Sequence, residues 1–132
     1  MGNRATVLTI GGSDGTGESG IQADIMTIAA LGGRALTGVT CITTRRDGRL
    51  TGIVDLPSEI VREQVAAAIA EQRPGAIKTG LLRDVEAIRK IREEVIGCRH
   101  LVVAPGIYTA EGVQMTDERA IEAIKSHLIP IA

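Results

Sequence analysis

Short apolar runs rich in β-branched residues alternate along this chain with stretches whose apolar residues recur every three to four positions, and no other feature restricts the fold as much. The runs are VLTI at 7–10, ALTGVTCITT at 35–44, LTGIV at 50–54, AIKTG at 76–80 and LVVA at 101–104. Runs of this length suit strands, and a helical stripe between two of them suits the crossover of a βαβ unit. Four stripes occur. The first holds Ile21, Ile25, Ile28 and Ala29, and the second Val61, Val65, Ala68 and Ile69, opened at Pro57 and Ser58. The third runs through Val85, Ile88, Ile91 and Val95, opened by Asp84 and stopped by Gly97. The last, Ile121, Ile124 and Leu128, takes Thr116 or Asp117 as its cap and ends at Pro130. The pattern predicts an α/β fold, a mostly parallel sheet with flanking helices, with strands buried on both faces and every stripe in the core. No repeat or linker divides residues 1–132, which are read as a single α/β domain.

Charge and composition narrow the function. Fifteen Lys and Arg face sixteen Asp and Glu, a formal net charge of -1, without a long run of either sign. Neither nucleic acid nor an anionic membrane is expected as a partner. Tyr108 is the single aromatic residue, which removes the stacking platforms of single-strand binders and leaves an aliphatic core. No apolar run approaches the roughly 20 residues of a membrane span, and MGNRATVLTIGG lacks a signal-peptide pattern, so the expected location is cytoplasmic. Cys41 and Cys98 form no CxxC and have only His100 and His127 as companions, so both are read as reduced structural thiols and zinc is not expected.

The most informative segment is GGSDGTGESGIQAD, Gly11 to Asp24, which fits three patterns. From Gly12, GSDGTGES has P-loop spacing, but Glu18 stands at the lysine position and sets a carboxylate where phosphate oxygens would lie. From Gly15, GTGESG is a GxGxxG between a strand and a helix, as an NADP-binding oxidoreductase domain would have. Arg45 and Arg46 could then meet a 2′-phosphate, but the acidic ribose ligand is missing and GGSD separates Ile10 from Gly15.

The third pattern is a family resemblance. VLTIGGSDGTGESGIQADIMTIAALG resembles the opening of the hydroxymethylpyrimidine/phosphomethylpyrimidine kinases of thiamin synthesis, in the ribokinase-like superfamily. The likeness continues through PGAIKTGLL at 74–82, LVVAP at 101–105 and the closing AIEAIKSHLIPIA. It implies the N-terminal half of a ribokinase-like fold, ATP and Mg²⁺ as cofactors, and phosphorylation of hydroxymethylpyrimidine or its monophosphate. By this resemblance Asp24 holds the substrate, Gly12 lines its pocket with backbone, and Leu81, standing where the family has methionine, lies against the pyrimidine, with Gly80 beside it as a further substrate-binding candidate. Thr79 and Gly80 also fall at a strand end, where ligands gather in open α/β sheets. LTGIV is expected as a flap beside the substrate, Asp14 as a turn or capping residue, and Lys78 as an exposed strand lysine.

Three departures qualify the resemblance. Arg45 of TTRRD stands where the family has a glutamine that reads the pyrimidine edge, and arginine has no acceptor. Ala104 stands at the family's aspartate near phosphates and metal, so no metal ligand is assigned. Family members also run about twice this length, their second half carrying the ATP pocket, the anion hole and the catalytic residue. No catalytic residue is therefore assigned, and the chain is expected to be a truncated, split or degenerate form, inactive alone. Its expected partner is a second copy of itself or a complementary C-terminal half. The alternative is a non-catalytic module that binds a small molecule or anion.

Overall fold

The computed structural model describes residues 4–132. Five strands alternate with helices in the order β1 (Thr6–Asp14), α1 (Gly20–Ala30), β2 (Arg34–Arg46), β3 (Arg49–Asp55), α2 (Ser58–Gln72), β4 (Ala76–Thr79), α3 (Val85–Val95), β5 (Leu101–Val103) and α4 (Glu118–His127), with a closing 3₁₀ turn at Ile129–Ile131. They form one sheet of order β3-β2-β1-β4-β5, in which β1 pairs parallel with β2 and β4, β4 pairs parallel with β5, and β3 pairs antiparallel with β2. The mostly parallel α/β fold read from the sequence is therefore the one observed.

Chain direction decides where the helices go. The step from β1 to β2 moves one way across the sheet and the step from β3 to β4 moves back, so right-handed crossovers place α1 and α2 on opposite faces. Helices α2, α3 and α4 pack in a row on one face, and α1 lies over β1 and β2 on the other. The core follows the three-helix face. Leu8, Ile10, Ile77 and Leu101 from the strands meet Val61, Val65, Ile88, Ile91, Val95, Ala120, Ile124 and Leu128 from the helices.

The prediction of strands buried on both faces needs correction. Along β4, Ile77 and Thr79 are buried while the alternate positions, Ala76 and Lys78, are only half-buried, and Val102 of β5 is 58% exposed. The first stripe is corrected too: Ile21 is buried, but Ile25 and Ala29 are exposed and Ile28 is half-buried. The cause is that α1 is the only helix among the described residues on its face and lies over β1 and β2, so its far flank and Val102 of β5 stay exposed. A periodic stripe records an amphipathic helix without recording how many neighbours it meets.

Strand β1 also runs beyond the predicted VLTI. Gly12, Ser13 and Asp14 continue to pair with Cys41, Ile42 and Thr43 of β2 across a register shift at Gly11/Gly12. This irregularity turns the end of β1 within the sheet. LTGIV forms the edge of a β2–β3 hairpin closed at Asp47 and Gly48, both at positive φ (51° and 74°), as a tight hairpin turn demands. Asp84 caps α3 by accepting from the Ala87 amide at 3.1 Å, and Asp117, rather than Thr116, caps α4 by accepting from Ala120 at 2.9 Å. Gly97, at φ 91°, takes the left-handed position just beyond α3.

With the core on one face, Ile88→Ala should destabilise the chain by about 2–5 kcal/mol, whereas Val102→Ser should change stability by less than about 0.5 kcal/mol. Urea unfolding followed by circular dichroism checks this, and comparable losses for the two variants would contradict the one-sided core.

Candidate functional site

The carboxyl ends of β1 and β4 meet where the connections leave β1 in opposite directions, the point at which open α/β sheets hold ligands. A pocket of about 400 Å³ opens there. Its floor is Gly12, Gly80 and Leu81, one wall is the loop from Asp14 to Gly20, and another is Thr43 and Arg45 of β2. Gly106, Tyr108, Thr109, Ala110 and Met115 from the segment after β5 close the far side, and Lys78 reaches in from β4.

Asp14, the last residue of β1, organises the glycine loop. It is 2% exposed. Its Oδ1 accepts from the Thr16 amide at 2.9 Å and hydroxyl at 2.7 Å, and its Oδ2 accepts from the Ser19 amide at 3.1 Å and hydroxyl at 2.7 Å. Gln22 reaches back from α1, accepting from the Asp14 amide at 2.8 Å and donating to the Ser13 hydroxyl at 2.7 Å. Burial pushes the Asp14 carboxyl up, but the hydrogen bonds from Ser19 and Thr16 and the charge of Arg45 outweigh it and hold the group below its ordinary value. The loop closes at Gly20, φ 67°, where a Cβ would strike the Gly12 carbonyl. Only glycine fits.

This loop is already filled. The Thr16 and Ser19 amides, which would have to face the phosphates of a nucleotide, are turned onto the Asp14 carboxylate. A resident anion thus occupies the nest on which both the P-loop and the NADP patterns depend. The spacing objection to NADP disappears, since β1 extends to Asp14, but the occupied nest replaces it.

Around the ring of the pocket the backbone is pinned. The Gly80 amide donates to the Ile10 carbonyl at 2.7 Å, and the Thr40 hydroxyl donates to the Leu81 carbonyl at 2.7 Å. A Cβ on Gly12 would lie 3.0 Å from Cys41 Sγ and 3.2 Å from Leu81 Cδ2, so glycine there lets Leu81 and the buried Cys41 close the floor. Burial raises the Cys41 thiol above its ordinary value, as suits a structural thiol. Arg83 ties the far side down by donating through Nε to the Met115 carbonyl at 2.8 Å, and Thr116 donates to the Gly106 carbonyl at 2.8 Å.

Of the residues expected from the sequence, Gly12, Arg45, Gly80 and Leu81 come together in the lining. Asp24 does not: Lys78 Nζ donates to both its oxygens at 2.8 and 2.7 Å, and Thr9 donates to Oδ2 at 2.6 Å, which places the carboxylate one step behind the wall. Lys78 is the corresponding correction, a half-buried, ion-paired lining residue instead of an exposed one. Strand alternation carried the signal, because Lys78 lies between buried Ile77 and Thr79 and must face α1, where Asp24 is. Tyr108 to Met115 was missed as a wall, although it follows a strand end directly. Asp14 is the turn-holding residue expected, with the added role of lining the pocket. Among the described residues no three His, Cys, Asp or Glu side chains come together, and Ala104, just after β5, carries no side-chain oxygen.

Residues 14–132 match the family model for phosphomethylpyrimidine kinase. A hydroxymethylpyrimidine/phosphomethylpyrimidine kinase of Streptomyces coelicolor is 33% identical over 127 residues, 96% of this chain and 47% of that protein. Its Bacillus subtilis namesake is 31% identical over 125 residues, 93% of this chain and 46% of that protein. The crystal structure of the phosphomethylpyrimidine kinase from Clostridium difficile superposes with a TM-score of 0.88 at 32% identity, over 98% of this chain and 57% of that one. Staphylococcus aureus pyridoxal kinase in complex with AMP-PCP gives 0.83 at 30% identity, over 99% of this chain and 48% of that one. The chain spans about half the length of the curated relatives it matches.

Removing the resident anion should open the loop. Asp14→Ala strands four donors and should cost about 1–3 kcal/mol. Since the folded carboxyl titrates below its ordinary value, that contribution is complete above about pH 4 and is lost as pH falls through the folded value. Urea midpoints of wild type and variant should therefore converge on acidification, and a gap that stays constant down to pH 2 would contradict this role.

Proposed function

The chain belongs to the phosphomethylpyrimidine kinase family, and from that premise we propose that it supplies the substrate side of an ATP-dependent kinase acting on hydroxymethylpyrimidine or its monophosphate in thiamin biosynthesis. The observation that carries the proposal is the pocket at the carboxyl ends of β1 and β4, where Gly12, Gly80 and Leu81 leave a partly apolar lining with room for a small ring. Heterocycle sites take this form, with mostly apolar walls and a few placed polar groups. The β2–β3 hairpin and the segment from Gly106 to Met115 stand on either side, so a bound alcohol would be shielded from water except toward the open mouth.

Within this proposal Asp24 acts through Lys78. The carboxylate holds the ammonium on the α1 side of β4, and Lys78 presents the charge to the pocket. Gly12 and Gly80 admit the ring, and Leu81 packs on its face. ATP is proposed from the family and from the nucleotide complexes of the pyridoxal kinase relative, and would supply the phosphoryl group. Transfer depends on positioning and on stabilising the moving charge, and we assign no residue of this chain to that step.

A covering partner belongs to the same proposal. Val102 and the open edge of β5, with Ile25 and Met26 on α1, form the surface a complementary C-terminal half or a second copy would cover. In the cell the proposal places the protein in the cytoplasm.

Calorimetric titration tests the substrate side. The 132-residue chain should bind hydroxymethylpyrimidine, Leu81→Asp should abolish that binding, and a coupled ADP-release assay of the chain alone should show no turnover. Undetectable binding by a folded chain, or equal binding by Leu81→Asp, would sink the reading in favour of a module with another ligand.

A further inference from the structure

Arg45 is a cation built into the pocket wall, and its side chain makes no hydrogen bond among the described residues. Its side chain is 16% exposed, and its Nε is buried with no partner among the described residues. Asp14 Oδ2 faces this Nε at 3.6 Å, an ion pair too long for a hydrogen bond. The reason lies in the glycine loop, because both Asp14 oxygens already accept from Thr16 and Ser19. Asp14 therefore balances part of the Arg45 charge without satisfying its donors. Glu111, exposed on the segment after β5, also senses Arg45 and is held below its ordinary value, first by hydrogen bonds at its own backbone and Thr109 and only then by Arg45 and Arg49. Glu18 is exposed at the rim, where solvent screens it.

A guanidinium offers five N–H donors and no acceptor, so a ligand meeting Arg45 must bring oxygens that accept. The first turn of α1 faces the same space through Ser19 and Gly20 and contains no acidic residue. Its N-cap makes no side-chain capping bond, because Ser19 Oγ donates to Asp14. The positive end of the helix thus borders the same pocket as Arg45. Accepting that the pocket is the substrate site, we propose that Arg45 is a specificity-determining residue that selects ligands bearing an oxyanion, a phosphate monoester above all, over the corresponding uncharged alcohol.

Calorimetry at low salt with hydroxymethylpyrimidine, its monophosphate and inorganic phosphate decides this. Wild type should bind the monophosphate at least about tenfold more tightly than the alcohol, as one charge-assisted pair allows, and the preference should shrink as salt rises. Arg45→Gln should collapse the ratio and remove binding of inorganic phosphate. Equal or tighter binding of the alcohol by wild type, or a ratio unchanged in Arg45→Gln, would overturn the proposal while leaving the substrate-side reading intact. Arg45-dependent binding of inorganic phosphate without binding of either pyrimidine would do the opposite, upholding the anion selectivity and removing the pyrimidine. No binding of any of the three by folded wild type would overturn both. Should Arg45→Gln fail to fold, the wild-type ratio and its salt dependence still decide.

Discussion

The Asp14 carboxylate, gripped by the amides and hydroxyls of Thr16 and Ser19, is the interaction on which the rest of the site depends. It ends β1, fixes the turn into α1 and leaves Ser19 unable to cap that helix. It also keeps Arg45 close but without a hydrogen bond. Each consequence follows from counting acceptors: two oxygens take four donors, and the fifth candidate remains at 3.6 Å. A loop whose sequence suggests nucleotide phosphates thereby becomes a self-contained wall, and the anion-seeking groups face the pocket beyond it.

The sheet positions that wall asymmetrically. Three helices and the aliphatic core lie on one face, which holds the carboxyl ends of β1 and β4 rigid, while α1 alone occupies the other. Lys78 illustrates the difference between the faces. Its neighbours Ile77 and Thr79 are buried, whereas Lys78 lies on a half-buried face with Asp24 opposite. Partial exposure keeps the desolvation of such a pair modest, so the bridge is better understood as a device for aiming Lys78 than as a large contribution to stability.

Much of this was legible in the sequence. Run length and β-branching located all five strands, and Asp84 and Gly97 marked helix ends through local chemistry, while the sequence alone leaves the start of α4 between Thr116 and Asp117. Burial of α1 was not legible, because Ile25 and Ala29 satisfy a helical period whatever lies beside them. The length of β1 was missed since Gly11 and Gly12 have low strand propensity, and pairing with β2 overrides it. Within the site, Gly12, Arg45, Gly80 and Leu81 were found through family resemblance and strand-end position. The Asp24–Lys78 pair joins residues far apart in sequence, and only the placing of α1 beside the β1–β4 edge fixes it. Tyr108 to Met115 offered no periodicity, and its place is fixed by long-range bonds such as that from Arg83 to Met115.

Amide hydrogen exchange at Thr16 and Ser19, read residue by residue by NMR, tests most directly whether the glycine loop is filled by its own carboxylate. At neutral pH both amides should be protected, and in Asp14→Ala both should exchange freely while the β4 amides stay protected. Unprotected Thr16 and Ser19 amides in the wild type, or protection that appears only when inorganic phosphate is added, would mean that the nest is open and built for an external anion.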